Sequence, residues 1–126
     1  MRKIIIGSLL MVMMSLLSIQ NVSAETVKRN IGGWSPQKIW TVNFNTELDV
    51  SSINDENIYI LDSNDNRVEG LNFEVSDNKK EFLIENPKSY KSGEKYRIFI
   101  TSGIRSNQGV NAEKSYEFTF FIIDRK

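Results

Sequence analysis

Asp62-x-Asn64-x-Asn66 sets oxygen donors at alternate positions, which is how a calcium-binding EF-hand loop opens. The rest of that loop is absent. Its sixth position, where glycine must turn the chain, is Arg67, and its twelfth, where a bidentate glutamate is needed, is Phe73. A tight turn calls for the same residue types, because Asp and Asn bond their own main chain and tolerate left-handed backbone. The turn is the favoured reading, and no metal or cofactor is expected.

The acidic pairs Glu47/Asp49 and Asp55/Glu56 are the remaining candidates for acid and base work. Glycoside hydrolysis needs two carboxyls facing each other across a cleft, one of them with its pKa raised by burial. These four lie in polar turns that stay solvated. Histidine and cysteine are both absent, which removes the commonest proton shuttle, the thiol nucleophile and the usual zinc ligands. The sequence therefore predicts no catalytic residues and a chain that is not an enzyme.

The aromatic residues are more informative. Tyr96 follows Tyr90 by six positions with Gly93 between them, and it opens a late strand. A tyrosine so placed can bond back to the corner backbone, so Tyr96 reads as a structural anchor in preference to a ligand contact. Trp40 reads as core. Trp34 stands in a glycine-proline segment without periodicity, where a large ring is costly to leave wet. It either caps one end of the fold or is presented to a sugar or protein partner.

The elements that must position these groups follow from period-two alternation between Ile39 and Ile123. Trp40, Val42 and Phe44 alternate with Thr41, Asn43 and Asn45. Ile58 and Ile60 alternate with Tyr59 and Leu61, and Tyr96, Ile98 and Ile100 with Arg97 and Phe99. Further strands are expected over Arg67–Val75, around Phe82 and Ile84, and from Tyr116 to Ile122, while Val27 to Ile31 can pair as a first edge strand. Leu48 to Glu56 reads as a crossover with one helical turn capped by Asp49, Ser51 or Ser52. Clusters of Asn, Asp, Gly and Ser close each burst, and no helical stripe of useful length occurs. The pattern predicts an all-β chain, an antiparallel sandwich of about seven strands. Its expected core is Trp40, Val42, Phe44, Ile58, Ile60, Val68, Phe73, Phe82, Ile84, Tyr96, Ile98, Ile100, Phe118 and Phe120. Tyr59, Leu61, Phe99, Phe121 and Ile123 are then left pointing outward. With Trp34 they form the candidate interaction surface, unless the leader or the long connection covers them.

Three segments are expected: a signal peptide at 1–24, a polar leader at 25–38 and the sandwich domain at 39–126. Arg2 and Lys3 precede the apolar run Ile4 to Ile19, and Val22-Ser23-Ala24 supplies a small-x-small exit, the layout of an export signal cleaved after Ala24. A membrane anchor is the less favoured reading, since a spanning helix needs about 20 apolar residues. The 16 basic and 16 acidic residues become a net charge of about −2 once Arg2 and Lys3 are removed. That balance disfavours nucleic acid and anionic membrane as partners. An exported domain without disulfides must rely on its core, a habit that suits a bacterial exterior.

The ordered landmarks are Trp40-x-Val42-x-Phe44-Asn45 and then Leu48-Asp49-x-x-Ser52-Ile53-Asn54-x-x-Asn57-Ile58-x-Ile60-x-Asp62. Tyr90-x-x-Gly93-x-x-Tyr96-x-Ile98-x-Ile100-Thr101 and Ile104-x-Ser106-x-x-Gly109 follow. From about Lys38 to Ile122 this series resembles the bacterial Ig-like domain of the S-layer protein A (SbsA) type. The resemblance implies a small β-sandwich used outside the cell as a spacer or interaction module, with no active-site residues to transfer. Asp65 stands where family members often carry glycine, and this chain holds a solitary copy where the family often runs in tandem.

The function expected is a secreted, non-catalytic module that binds or adheres at the bacterial cell surface or in the extracellular matrix, its partner a protein or polysaccharide. A self-assembling wall or matrix component is the alternative, with self-association through the Phe120–Ile123 edge if that run is uncovered. A hydrolase accessory or inhibitor is the residual reading.

Overall fold

The structure, a computed structural model, describes residues 9–12 and 25–123. Its strands are β1 (Leu9–Val12), β2 (Glu25–Trp34), β3 (Trp40–Phe44), β4 (Ile58–Leu61), β5 (Asn72–Val75), β6 (Glu81–Glu85), β7 (Lys95–Ile100) and β8 (Lys114–Ile122), with one 3-10 turn at Val50–Ser52. They form two four-stranded sheets, ordered β1-β3-β6-β5 and β2-β8-β7-β4. The pairs β3–β6, β6–β5, β8–β7 and β7–β4 are antiparallel, whereas β1 on β3 and β2 on β8 are parallel. An all-β sandwich is thus confirmed, with eight described strands where about seven were expected. Parallel pairing at two edges departs from the wholly antiparallel expectation, because chain entering each sheet edge from the amino-terminal side need not be joined by a hairpin.

The period-two pattern converts directly into burial. Trp40, Val42 and Phe44 on β3 and Phe82 and Ile84 on β6 face Ile58, Ile60, Tyr96, Ile98, Ile100, Phe118, Phe120 and Ile122 of the other sheet, and all are buried. Each such large side chain contributes about 1.5–3 kcal/mol by leaving water. The rings interlock at angles that favour aromatic pairs, Trp40 lying 4.7 Å from Phe120 and Tyr90 standing edge-on to Phe120 at 5.2 Å.

Leu48, Tyr90, Ile104, Ala112, Tyr116 and Ile122 join this core. Leu48, Ile104 and Ala112 come from connections, and they close one end of the sandwich. Leu48 bridges Ser106, and Ala112 donates its N–H to Ile104 O at 2.9 Å. Val68 and Phe73, both expected in the core, only flank it. Their segment is not one strand as expected: Arg67 makes an isolated bridge to Leu61, and only Asn72–Val75 is laddered. The chain leaves the second sheet and enters the first here, and Gly70, at φ +81°, makes that change of direction without a Cβ penalty.

The expected crossover turn is present as the 3-10 turn. Asp49 caps it by accepting from Ser51 N–H at 3.0 Å. The buried Ser52 hydroxyl donates to Asp49 O at 2.7 Å and accepts from Arg105 N–H at 3.0 Å. The segment read as a polar leader supplies β2, which is longer than the five-residue strand expected and passes through Gly32-Gly33. A bulge between Asn30 and Gly33 shifts its register by one, Gly32 taking φ +90° and donating to Asn30 Oδ1 at 3.0 Å. That single extra residue reverses which side chains face inward. Val27 and Ile31 pack on the core before it, and Trp34 after it. The cleavage site expected after Ala24 lies outside the described residues, while Leu9–Val12 of the expected signal peptide is strand β1.

Candidate functional site: the outer face of the second sheet

Register places the outward residues of β4, β7, β8 and β2 in cross-sheet rows. Tyr59, Phe99, Glu117 and Lys28 form one; Leu61, Arg97, Thr119 and Asn30 form the next; Lys95, Phe121 and Gly33 form the third. Five of the six predicted surface residues, namely Tyr59, Leu61, Phe99, Phe121 and Ile123, share this side of the molecule. They do not make one apolar patch, because the Arg97 row separates Tyr59 and Phe99 from Phe121.

Tyr59 and Phe99 stack across the strands, centroids 5.0 Å apart and planes 15° from parallel. The Leu61–Arg67 bridge carries Arg67 to the side of β4 away from β7. There its guanidinium lies 4.1 Å from the Tyr59 ring centre and donates to Asp55 O at 2.8 Å. Tyr59 is therefore covered on one ring face by Phe99 and on the other by a cation. Arg97 lies 5.2 Å from the Phe99 ring centre, and it pairs with the Asp65 carboxylate and, at 3.5 Å, with Glu117. Lys28 reaches Glu117 at 3.9 Å. The face is a half-buried aromatic pair bounded by guanidiniums, with a line of charge beside it.

Phe121 is 42 % exposed at the third row. Its ring lies over Gly33: a Cβ there would stand 2.8 Å from Phe121 Cε2 and 3.0 Å from Ile123 Cγ2. The glycine is the seat of this second apolar patch.

Trp34 sits on the opposite side of β2. Its ring meets Trp40 edge-on at 5.7 Å, and its indole N–H donates to Ile31 O at 2.7 Å. Lys38 Nζ lies 4.4 Å from its ring centre, and burial pulls the Lys38 pKa below its usual value. Trp34 is thus half-buried, packed between the core and an ammonium. It is not brought together with the other five.

Several of the remaining chemical candidates have internal partners. Asp62 Oδ1 accepts the N–H groups of Asn64 and Asn66, both at 2.9 Å, and Asp65 adopts φ +65° in the same turn. Asp49 pairs with Arg105 at 2.8 Å. Hydrogen bonds from Ser51 and Arg105 hold its carboxyl below the usual range, the opposite of what a general acid needs. Tyr96 OH accepts Lys91 N–H at 2.9 Å, and burial raises its pKa. Tyr90 is buried more deeply, and its pKa is pushed far above the phenol range. The polar approach of the Trp40 indole offsets this only in part, and neither atom completes a hydrogen bond. Among the described residues no group of three His, Cys, Asp or Glu is placed to hold a metal ion.

Sequence reasoning missed Arg67, Asp65 and Glu117 as members of this face. Parity placed Arg97 beside Phe99, but its ion pairs and the Arg67 stack depend on how the 62–67 turn folds back, which no periodicity reports.

Residues 19–120 match the family model described as Bacterial Ig-like domain. The chain belongs to that family. Members are generally non-catalytic. Among solved structures, this Ig-like domain is similar to part of the alpha-2-macroglobulin of E. coli, with a TM-score of 0.58 and 20 % identity over 74 % of this chain and 6 % of that one. It is also similar to part of the S-layer protein SbsC, with a TM-score of 0.51 and 18 % identity over 71 % of this chain and 13 % of that one. At such identities the likeness is one of fold, and the Ig-like domain spans only a small share of either protein's length. No curated protein sequence matches the chain.

Proposed function

We propose that this Ig-like domain, of the SbsA type and exported by its first 24 residues, is a non-catalytic module that binds a protein partner at the bacterial surface or in the surrounding matrix. The observation that carries this reading is the outer face of the second sheet, where Phe121 and the Tyr59–Phe99 pair flank a row of charge. Aromatic residues and arginine are the types enriched at protein interfaces. At its Tyr59–Phe99 end the arrangement favours protein over polysaccharide for a geometric reason. A sugar ring stacks on an open aromatic face, and both faces of Tyr59 are already occupied, by Phe99 and by Arg67. Family membership and the likeness to a surface-layer protein support an extracellular setting.

The test is binding of the purified chain to isolated cell-wall polysaccharide and, separately, to purified surface-layer and secreted proteins, with Phe121→Ser as the control. Saturable binding to a protein, weakened at least tenfold by Phe121→Ser while the melting temperature holds, supports the reading. Equal binding of both forms to polysaccharide, or to nothing, overturns it.

A further inference from the structure

The outer edge of β3 is occupied by Leu9–Val12, which pairs with it in parallel, Leu9 opposite Thr41 and Val12 opposite Phe44. On its other side β3 is laddered to β6, and the N–H of Phe44 donates to Lys80 O there at 2.7 Å. Successive residues of a strand direct their backbone groups to alternate edges. Thr41 and Asn43 therefore turn their N–H and C=O groups toward the Leu9–Val12 side.

The other sheet edges are each blunted. β2 carries exposed Lys28 and Arg29 and the bulge after Asn30. β4 is followed by the Arg67 bridge, and β5 is four residues long with exposed Glu74. β3 has none of these devices: Trp-Thr-Val-Asn-Phe contains no charge and no proline, and its register is unbroken. Without Leu9–Val12 such an edge is a template for an added strand.

We infer that the edge of Trp40–Phe44 is a strand-acceptor site for an extended apolar segment of another polypeptide, held in parallel register, and that Leu9–Val12 occupies it until the export leader is removed. The inference rests on the leader reading and is independent of the outer-face reading. The occupant's chemistry is that of Leu-Leu-Met-Val, four consecutive apolar residues, with Leu10 and Val12 at the register positions opposite the inward-facing Val42 and Phe44. A second copy pairing edge to edge about a two-fold axis brings β3 against β3 antiparallel. Such a pair does not reproduce the parallel register of Leu9–Val12, whereas a separate extended segment does.

The test uses the full chain carrying Leu10→Pro, which cannot donate to the ladder at that position, and a fluorescent peptide of residues 7–14 flanked by added lysines. In the variant, the Thr41 and Asn43 amides exchange with solvent at least tenfold faster than in the parent chain. The peptide binds the variant saturably, restores that protection, and does not bind the parent. Failure of the peptide to bind a folded variant overturns the inference. So does a variant dimer, seen by light scattering, that the peptide does not dissociate, since the edge then selects a second copy. If Leu10→Pro does not fold, Leu10→Lys, which sets a charge opposite the inward-facing Val42, is read in the same way. Unfolding of both variants also overturns the inference, by making Leu9–Val12 an integral strand.

Discussion

The side-chain oxygen of Asn57 fills the place that a Cβ on Gly103 would need. That Cβ would lie 2.1 Å from Asn57 Oδ1 and 2.8 Å from Cγ. Asn57 cannot swing aside cheaply, because its Nδ2 donates to Ser52 O at 2.9 Å and its Oδ1 accepts from Thr101 Oγ1 at 3.2 Å. The contact ties the crossover after β3 to the corner after β7, two segments 46 positions apart in sequence and joined again by Thr101 N–H on Asn57 O at 2.9 Å.

Gly103→Ala is therefore expected to destabilise the domain by about 1–3 kcal/mol, the usual cost of forcing atoms into a packed site. Thermal unfolding measures it, and a loss of about 4–8 °C per kcal/mol is the scale for a domain of this size. A melting temperature unchanged within a degree contradicts the account of this corner.

Tyr90 and Tyr96 stack edge-on at 4.9 Å, yet removing their hydroxyls is expected to act differently. Tyr96→Phe deprives the Lys91 N–H of its acceptor and costs about 1–2 kcal/mol at neutral pH. Tyr90→Phe removes a buried hydroxyl that has no completed hydrogen bond and is neutral or stabilising there. Both folded-state pKa values are raised, so the folded chain keeps protons that the unfolded chain releases once the pH passes about 10. Stability is full below that point and falls as pH rises beyond it. Tyr90→Phe should flatten the alkaline limb more than Tyr96→Phe, a comparison that melting curves from pH 8 to 12 make directly.

The strands and their inward faces were legible because a ring or branched side chain at every second position leaves little choice of register. Trp40, Val42 and Phe44 illustrate this. The closure of the sandwich end was not legible. Leu48, Ile104 and Ala112 sit in polar connections where no alternation marks them, and the side chains of Ser52, Ser106 and Asn57 bond the backbone around them. Trp34 shows a third case. Its inward position depends on the bulge after Asn30, a one-residue shift that Gly32-Gly33 permits but that composition alone does not announce. On the candidate face, parity along β4, β7 and β8 brought out Tyr59, Phe99 and Phe121. The cations that cover the rings come from turns, whose return path is a tertiary matter.

Asp49 supplies the acid limb. Its carboxyl is held below the usual range by Ser51 and Arg105, so the unfolded chain binds a proton first as pH falls through about 4. The stability this group contributes is present above that pH and is lost as pH drops toward its lower folded-state value. Asp49→Asn keeps a capping oxygen but removes the charge. The variant should show a shallower loss of melting temperature between about pH 5 and pH 2 than the parent. Parallel acid limbs in the two proteins would assign that loss to other carboxylates.

Gly33→Ala separates the surface from the core. The new methyl meets the far end of the Phe121 ring at 2.8 Å and the Ile123 Cγ2 at 3.0 Å. Phe121 is the more exposed of the two and free to swing toward solvent, so the cost in stability should stay below about 1 kcal/mol. The ring's position should nevertheless change, seen as altered chemical shifts for Phe121, Ile123 and Lys95 in the same row. If the outer face of the second sheet is the binding surface, this substitution shifts partner affinity at least as much as a conservative change at Tyr59, while the melting curve barely moves. An affinity indifferent to Gly33→Ala and to Phe121→Ser alike moves the interface away from this end of the face and toward Tyr59, Phe99 and Arg67.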